Sequence, residues 1–162
     1  MASTYTTNLR LTKQGDGENP NSWGQILNDG VISLADQAIA GYAEVCIGTT
    51  VSLPLTANDG SSDQSRNAFL EITGSVGGTH NTINVVIPNK SKSYCVLNNV
   101  TYTDTTDTVI LKVTGHAGVT LERSNYGAGA TTFQHVICDG ASVRSANLLA
   151  NNVTIADNLV VG

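Results

Sequence analysis

The pattern of apolar and polar positions predicts one long helix, between Asn19 and Gly41. At about 100° per residue, apolar side chains recur along one side of this segment and polar side chains along the other. The central stripe consists of Trp23, Leu27, Val31, Leu34 and Ala38. Further apolar positions at Ile32, Ala35 and Ile39 widen it to about half of the circumference. This arc is wider than one packing partner needs. The helix is therefore either a core helix of a monomer or one that also contacts copies of itself.

The ends of this helix carry recognisable signals. Asn21 and Ser22 are candidate N-caps, because short polar side chains accept hydrogen bonds from the first backbone amides. Gly41 stands where a left-handed C-terminal residue is expected.

Before the helix, the segment TYTTNLRLTK alternates apolar and polar residues. It predicts a short strand or an extended arm, and the glycine-containing segment QGDGEN ends it. Such an arm can cross to a neighbouring subunit, whereas a frayed terminus is the ordinary alternative. We predict that residues 1–42 comprise this arm and the helix.

After Gly41 the pattern changes to short apolar runs separated by turn clusters. The predicted strands are 43–55, 67–73, 81–88, 93–97, 108–114, 118–122, 132–138 and 142–144. No helical pattern separates them, so the sequence predicts a mainly β domain over residues 43–144. An antiparallel β-sandwich is the preferred architecture and a barrel the alternative. Asp139 and Gly140 are the expected centre of a two-residue hairpin turn.

The last segment, residues 145–162, has a mixed periodicity. Its apolar residues are Leu149, Val153, Ile155, Leu159 and Val161. Their spacings alternate between four and two, so neither the helical nor the strand period prevails. One interpretation is a trimerising stem, in which other copies bury these side chains. The other is a final strand or helix of the sandwich.

Charge and composition exclude several partners. The net charge is −5, with only eight basic residues, which predicts no direct contact with nucleic acid. No apolar run approaches the roughly 20 residues of a membrane span, and the first residues lack the apolar core of a signal peptide. We therefore expect synthesis in a cytoplasm and no membrane insertion. Cys46, Cys95 and Cys138 are each expected to be reduced and buried.

The candidate chemistry is sparse. His135 and Cys138 are three apart, which on a strand places them on opposite faces and disfavours a metal pair. Two further histidines, His80 and His116, are expected on the surface. Four aspartates lie in oxygen-rich loops, which Asx turns explain without an ion: Asp59, Asp63, Asp104 and Asp107. Because no catalytic motif occurs, the sequence predicts no enzyme, no cofactor and no metal.

Three stretches of the sequence carry a resemblance to a known family. The first runs from Thr4 to Val45, with a Leu/Thr arm, a Gly/Glu/Asn turn, Trp23-Gly24 and an Ala-Gly ending. The second, LPLTANDGSSDQSRNAFLEITG, contains an Asp-Gln-x-Arg group before a strand. The third is HVICDGASV. Together they resemble the amino-terminal, virion-attaching region of tail-fibre proteins from tailed bacteriophages.

The resemblance implies a structural virion protein that is made in the host bacterium and forms a homotrimer. Its amino-terminal region would dock on other phage tail proteins for host adsorption. The residues expected to carry assembly are Leu9, Leu11, Trp23, Leu27, Val31, Leu34 and Ala38, with Leu149, Val153, Ile155 and Leu159 in the stem. Tail fibres of this type are usually longer, so a host surface glycan would be bound through a distal partner. The chain is then either a fibre adaptor or the base of a longer fibre.

Two other function classes remain open at this point. A capsid decoration or head-fibre protein would share a trimeric β-sandwich and differ in its docking place. A carbohydrate-binding module would need an aromatic platform, for which the sequence offers little, since aromatic residues make up 5% and Trp23 is the one tryptophan.

Overall fold

A computed structural model of the chain describes residues 2–48, 50–77, 81–123 and 132–146. In these residues the protein is mainly β, with one helical segment and a short 3-10 turn at Gln64–Arg66. The strands are β1 (Thr4–Tyr5), β2 (Thr12–Lys13), β3 (Tyr42–Ile47), β4 (Ser52–Pro54), β5 (Phe69–Val76), β6 (Thr82–Ile87), β7 (Ser91–Tyr102), β8 (Thr108–Val113), β9 (Val119–Thr120), β10 (Thr132–Asp139) and β11 (Val143–Ser145). The predicted β-rich class is confirmed.

The strands form two large sheets and one small ribbon. The first sheet has five strands in the order β11-β10-β7-β5-β3, and the second has four in the order β4-β6-β8-β9. The ribbon consists of β1 and β2 alone, which pair antiparallel in the arm.

Strand direction contradicts the predicted antiparallel architecture, because both large sheets are mixed. Strands β3, β5 and β7 are parallel, and so are β4, β6 and β8. Only the pairs β8–β9, β7–β10 and β10–β11 are antiparallel among the large sheets of the described chain. The prediction assumed that parallel neighbours need a helical crossover. Here each crossover passes through a strand of the other sheet instead.

From β3 to β8 the chain therefore coils, giving one strand to each sheet in every turn. Phe69 pairs with Cys95 in one sheet and Thr82 with Thr108 in the other, an offset of 26 residues in both cases. The hydroxyls of Thr82 and Thr108 lie 2.9 Å apart. The preceding turn has other offsets, 27 residues between Tyr42 and Phe69 and 32 residues between Ser52 and Asn84.

Alternating side chains from both sheets form one hydrophobic core. The buried positions repeat every second residue, as the strand period requires. In β6 they are Ile83, Val85 and Ile87, and in β8 they are Val109, Leu111 and Val113. Burial of such side chains stabilises the fold by about 1.5–3 kcal/mol each.

Two local predictions need correction. The predicted strand 43–55 is two strands, β3 and β4, in different sheets. The predicted hairpin is present, but its two-residue loop is Gly140–Ala141 rather than Asp139–Gly140, since the Asp139 amide donates to the Ser142 carbonyl at 3.2 Å. Gly140 has φ 98°, which suits a turn with glycine first.

The prediction of three buried cysteines is only partly right. All three thiols are free, but Cys46 is exposed, Cys95 is half-buried and Cys138 is buried. Cys46 lies between the buried residues Val45 and Ile47 of β3, so the strand period turns it to the outer face.

The helical segment is shorter than predicted and is interrupted. It consists of α1 (Trp23–Leu27), a π-helical turn (Asn28–Ile32) and α2 (Ser33–Ala40). Ser22 precedes α1 without a side-chain capping bond, and Gly41 is extended at φ −68° and ψ 147°, so both predicted caps are wrong in detail. Gly41 is still required, because a Cβ atom there would collide with the Gln37 carbonyl oxygen and the Asn67 side chain.

Candidate assembly site and arm socket

The residues predicted for assembly have very different exposures. Trp23 is 61% exposed and Leu27 40%, whereas Leu34 is only 3% exposed. Val31 and Ala38 are half-buried, and so are Leu9 and Leu11 in the arm. The structure therefore makes Leu34 a packing residue of the protein interior, while Trp23 and Leu27 remain available to a partner. The stem residues Leu149, Val153, Ile155 and Leu159 lie outside the described residues.

The π-helical turn decides which apolar side chains share the free face of the helix. Trp23 and Leu27 are four apart in α-helical geometry, so they lie above one another. Leu27 and Ile32 are five apart across the π turn, whose hydrogen bonds also span five residues. Ile32 and Ile39 are seven apart, about two α-helical turns. We call Trp23, Leu27, Ile32 and Ile39 the exposed helix stripe, and each is at least 40% exposed.

The opposite side of the helix packs on the rest of the chain. Leu34 is buried there, and the Gln37 amide donates to the Asp63 carbonyl at 3.2 Å. Gly30 faces the arm so closely that a Cβ atom would meet the Thr12 side chain at 2.5 Å. The helix is thus held by its loop and arm neighbours, which leaves the exposed helix stripe directed away from them.

The loop between β4 and β5 builds a buried carboxylate. The side chain of Asp63 is 0% exposed and accepts hydrogen bonds from the backbone amides of Asn58 (3.0 Å) and Arg66 (2.8 Å) and from the Ser65 hydroxyl (2.8 Å). Asp63 also caps the 3-10 turn that follows it. The residues of this loop are mostly small, polar and turn-forming, so its backbone amides can surround the Asp63 carboxylate.

The arm reaches into this loop with one side chain. Arg10 is buried, and its guanidinium lies 2.9 Å from the Asp63 carboxylate. It also donates to the Asn58 carbonyl and to the Ser65 hydroxyl, both at 3.1 Å. The Gly60 amide donates to the Arg10 carbonyl at 2.9 Å. We call Asn58, Gly60, Asp63 and Ser65 the arm socket.

A second guanidinium completes the cluster. Arg66 is buried, lies 3.2 Å from the Asp63 carboxylate, and donates to carbonyl oxygens of Leu9, Asn58 and Ser61. Burial alone would raise the pKa of Asp63, but the hydrogen bonds and the charge of Arg10 outweigh it and hold the pKa below its usual value. Asp63 therefore stays ionised between two arginines.

Lys92 joins the sheet to the helix beside this cluster. Its Nζ donates to the carbonyls of Asn67 (3.1 Å) and Ala38 (3.4 Å), and it lies 4.7 Å from the centre of the Tyr94 ring. The position at the end of α2 suits a cation. Burial lowers the pKa of Lys92 to about 8. The hydroxyl of Tyr94 donates to the Ser65 carbonyl at 3.1 Å, so the sheet also supports the arm socket.

Two other candidate aspartates, Asp104 and Asp107, serve their own loop. Asp104 accepts from the Thr106 amide at 2.9 Å, and Asp107 accepts from the amides of Thr103 and Asp104. Arg123 donates to the backbone carbonyls of Asp104 and Asp107, so it ties the same loop together. In the part of the chain that the structure describes, no group of three or more His, Cys, Asp or Glu residues could hold a metal.

A second exposed apolar surface lies on the outer face of the five-stranded sheet. Tyr42 of β3 pairs with Phe69 of β5. Phe133 of β10 lies two strands from Phe69, opposite Leu97 of β7. Tyr42, Phe69, Phe133 and Ile137 are exposed. Single exposed apolar residues are ordinary, but four on one face indicate a contact surface. Sequence reasoning missed it because strand direction and register decide which residues become neighbours.

Comparisons with protein-family models, with curated proteins and with solved structures gave no match to this chain. Among the described residues, no helix has the length and apolar character needed to cross a membrane.

Proposed function

We propose that this chain is a structural virion protein, namely the virion-attaching region of a bacteriophage tail fibre or a fibre adaptor. In this proposal it forms a homotrimer and attaches to other tail proteins for host adsorption. The two sheets pack face to face as a mixed β-sandwich that carries the helix and the arm. A host surface glycan is engaged through a distal partner.

The observation that carries this proposal is the exposed helix stripe. Its four large apolar side chains face away from the loop and arm on which the helix packs. Each is already partly buried, so covering its remaining exposed area against a partner is favourable by less than the roughly 1.5–3 kcal/mol of complete burial. Three copies of one helix bury such stripes against one another, as in helical bundles. The resemblance of the arm, the helix and the Asp-Gln-x-Arg group to tail fibres supplies the location on the virion.

Imaging of virions that carry this chain tests the location. A gold-labelled affinity tag at residue 162 is expected to mark the tail. A label spread over the head would favour the capsid decoration alternative. Virions without label, from cells that contain the tagged chain, would contradict a virion role.

A further inference from the structure

We propose that the arm socket binds an arginine in trans, so that the arms of assembled copies are exchanged and Arg10 of one copy fills the socket of the next. The partner is thus a second copy of this chain. The inference rests on the proposed homotrimer and adds how neighbouring copies are joined.

Asp63 has partners in its own loop besides Arg10. Its carboxylate accepts hydrogen bonds from the amides of Asn58 and Arg66 and pairs with the Arg66 guanidinium. These contacts do not involve the arm, so the loop itself places the Asn58 carbonyl, the Asp63 carboxylate and the Ser65 hydroxyl around the guanidinium that enters the socket.

The arm is a separate ribbon that also lies beside Gly60 and Gly30 through the side chains of Tyr5 and Thr12. Strands β1 and β2 pair with each other and belong to neither large sheet. The hydrogen bonds between the arm and the socket loop converge on Leu9 and Arg10. Arg10 has φ 54°, a left-handed conformation that is unfavourable for a residue with a side chain. Such an arm can leave as one piece and bind again elsewhere with all of its contacts.

The connection between arm and helix has the reach that exchange requires. Residues 14–22 span about 30 Å when extended. Two of them, Asn19 and Asn21, have positive φ angles, which an extended backbone would relieve. Packed helices lie about 8–10 Å apart. The socket adjoins the helix through Gln37, which contacts Asp63 and Ser62. Because the exposed helix stripe faces away from the socket, the neighbour's socket lies beyond the neighbour's helix, about one helix diameter of 10–12 Å further. The extended connection is longer than these two distances together.

Exchange re-forms the contacts between the arm and a socket. Its cost is the hydrogen bonds of Glu18 with Ser3, Gln14 and Gly15, which fold the connection and are lost when it extends.

Cross-linking of two single-cysteine chains tests the exchange. Leu11→Cys and Asp59→Cys are placed in separate full-length chains, since the hydrogen bond between the Arg10 carbonyl and the Gly60 amide brings their positions together. Both chains carry Cys46→Ser and Cys95→Ser, which removes the accessible native thiols. The chains bear different tags, are produced in one cell, and are treated with a short bismaleimide. Exchange predicts a product that contains one copy of each chain.

Two arm variants supply the control. Arg10→Ala in the Leu11→Cys chain should lower the yield of the mixed product at least about tenfold, because it removes one partner of a buried ion pair. Lys13→Ala, which removes the exposed cation of the same arm, should leave the yield unchanged.

The contrary results are distinct. A chain that carries both cysteines and forms only an internal cross-link, while its native mass stays at three chains, would overturn the exchange and leave the trimer intact. A native mass of one chain would overturn both proposals. A trimer that forms neither the mixed cross-link nor the internal cross-link would show that the arm occupies no socket, which also contradicts the exchange.

Discussion

The Asp63 side chain connects more of this molecule than any other carboxylate described above. It fixes its own loop through backbone amides, pairs with Arg66 three residues later, and receives Arg10 from the arm. Arg10 and Arg66 pair with the same buried carboxylate. The ion pairs therefore matter less as sources of stability than as the reason why the arm has one defined place.

Substitutions in this cluster should lower the free energy of unfolding by different amounts. Asp63→Asn leaves two buried guanidinium groups without a counter-charge, so the free energy of unfolding should fall by about 3–5 kcal/mol. Arg10→Met leaves Asp63 paired with Arg66 and should cost about 1–3 kcal/mol. Urea denaturation measures both, with the exposed Asp59→Asn as the control. Equal losses for Asp63→Asn and Arg10→Met would contradict the shared-anion arrangement.

Lys92 makes stability depend on pH in a defined window. Its pKa is lowered to about 8 in the folded protein, against an ordinary value of 10.5, because burial disfavours the charged form. Between these two pH values the unfolded chain binds more protons, so the free energy of unfolding should rise with pH. Burial raises the pKa of Tyr94 and Cys138, which acts in the opposite direction. A comparison with Lys92→Met therefore isolates the lysine.

The unfolding free energy of wild type minus that of Lys92→Met should increase from pH 8 to pH 10.5. Denaturant titrations at several pH values measure it, and the exposed Lys13→Met serves as the control. A flat difference would show that the Lys92 ammonium group is not desolvated by the fold.

At the scale of elements, sequence periodicity located most of the strands. The predicted segments 67–73, 81–88, 108–114 and 132–138 each coincide with the greater part of one strand. The pattern could not give strand direction, because alternation in a strand is the same in parallel and antiparallel sheets. A usable signal was present in the similar runs NTINVVI and DTVILKV, which pair at the 26-residue offset.

The helix and the arm socket show two further limits of sequence reasoning. A constant 100° per residue grouped Leu34 with Trp23, whereas the π turn separates them and brings Ile32 beside Leu27. The contact between Arg10 and Asp63 joins residues that are 53 apart, and no local period reports such a pair. The Asp-Gln-x-Arg group was visible in the sequence, but its partner in the arm was not.

Substitutions in the helix should separate assembly from folding. Leu27→Asp combined with Ile32→Asp places two charges in the exposed helix stripe and should dissociate the copies, while the thermal unfolding of the β domain changes little. Leu34→Asp buries a charge at a 3% exposed position and should unfold the protein. Native mass and circular dichroism distinguish these effects. A double variant that keeps the mass of three chains would exclude the stripe from the interface.

In the molecule as a whole, the two mixed sheets share a single hydrophobic core. The arm and the helix come before the β3–β8 coil in the chain, and the arm socket lies in the loop between β4 and β5, within the first turn of the coil. The exposed apolar residues concentrate on the helix stripe and on the outer face of the five-stranded sheet. Two apolar surfaces of this fold are therefore available to a partner.

The native mass of the purified chain, measured by light scattering over a range of concentrations, shows whether it forms a homotrimer. We expect a stable mass close to three times the chain mass of 16.9 kDa. A mass of one chain at every concentration would contradict the homotrimer and would leave the exposed helix stripe to a different protein.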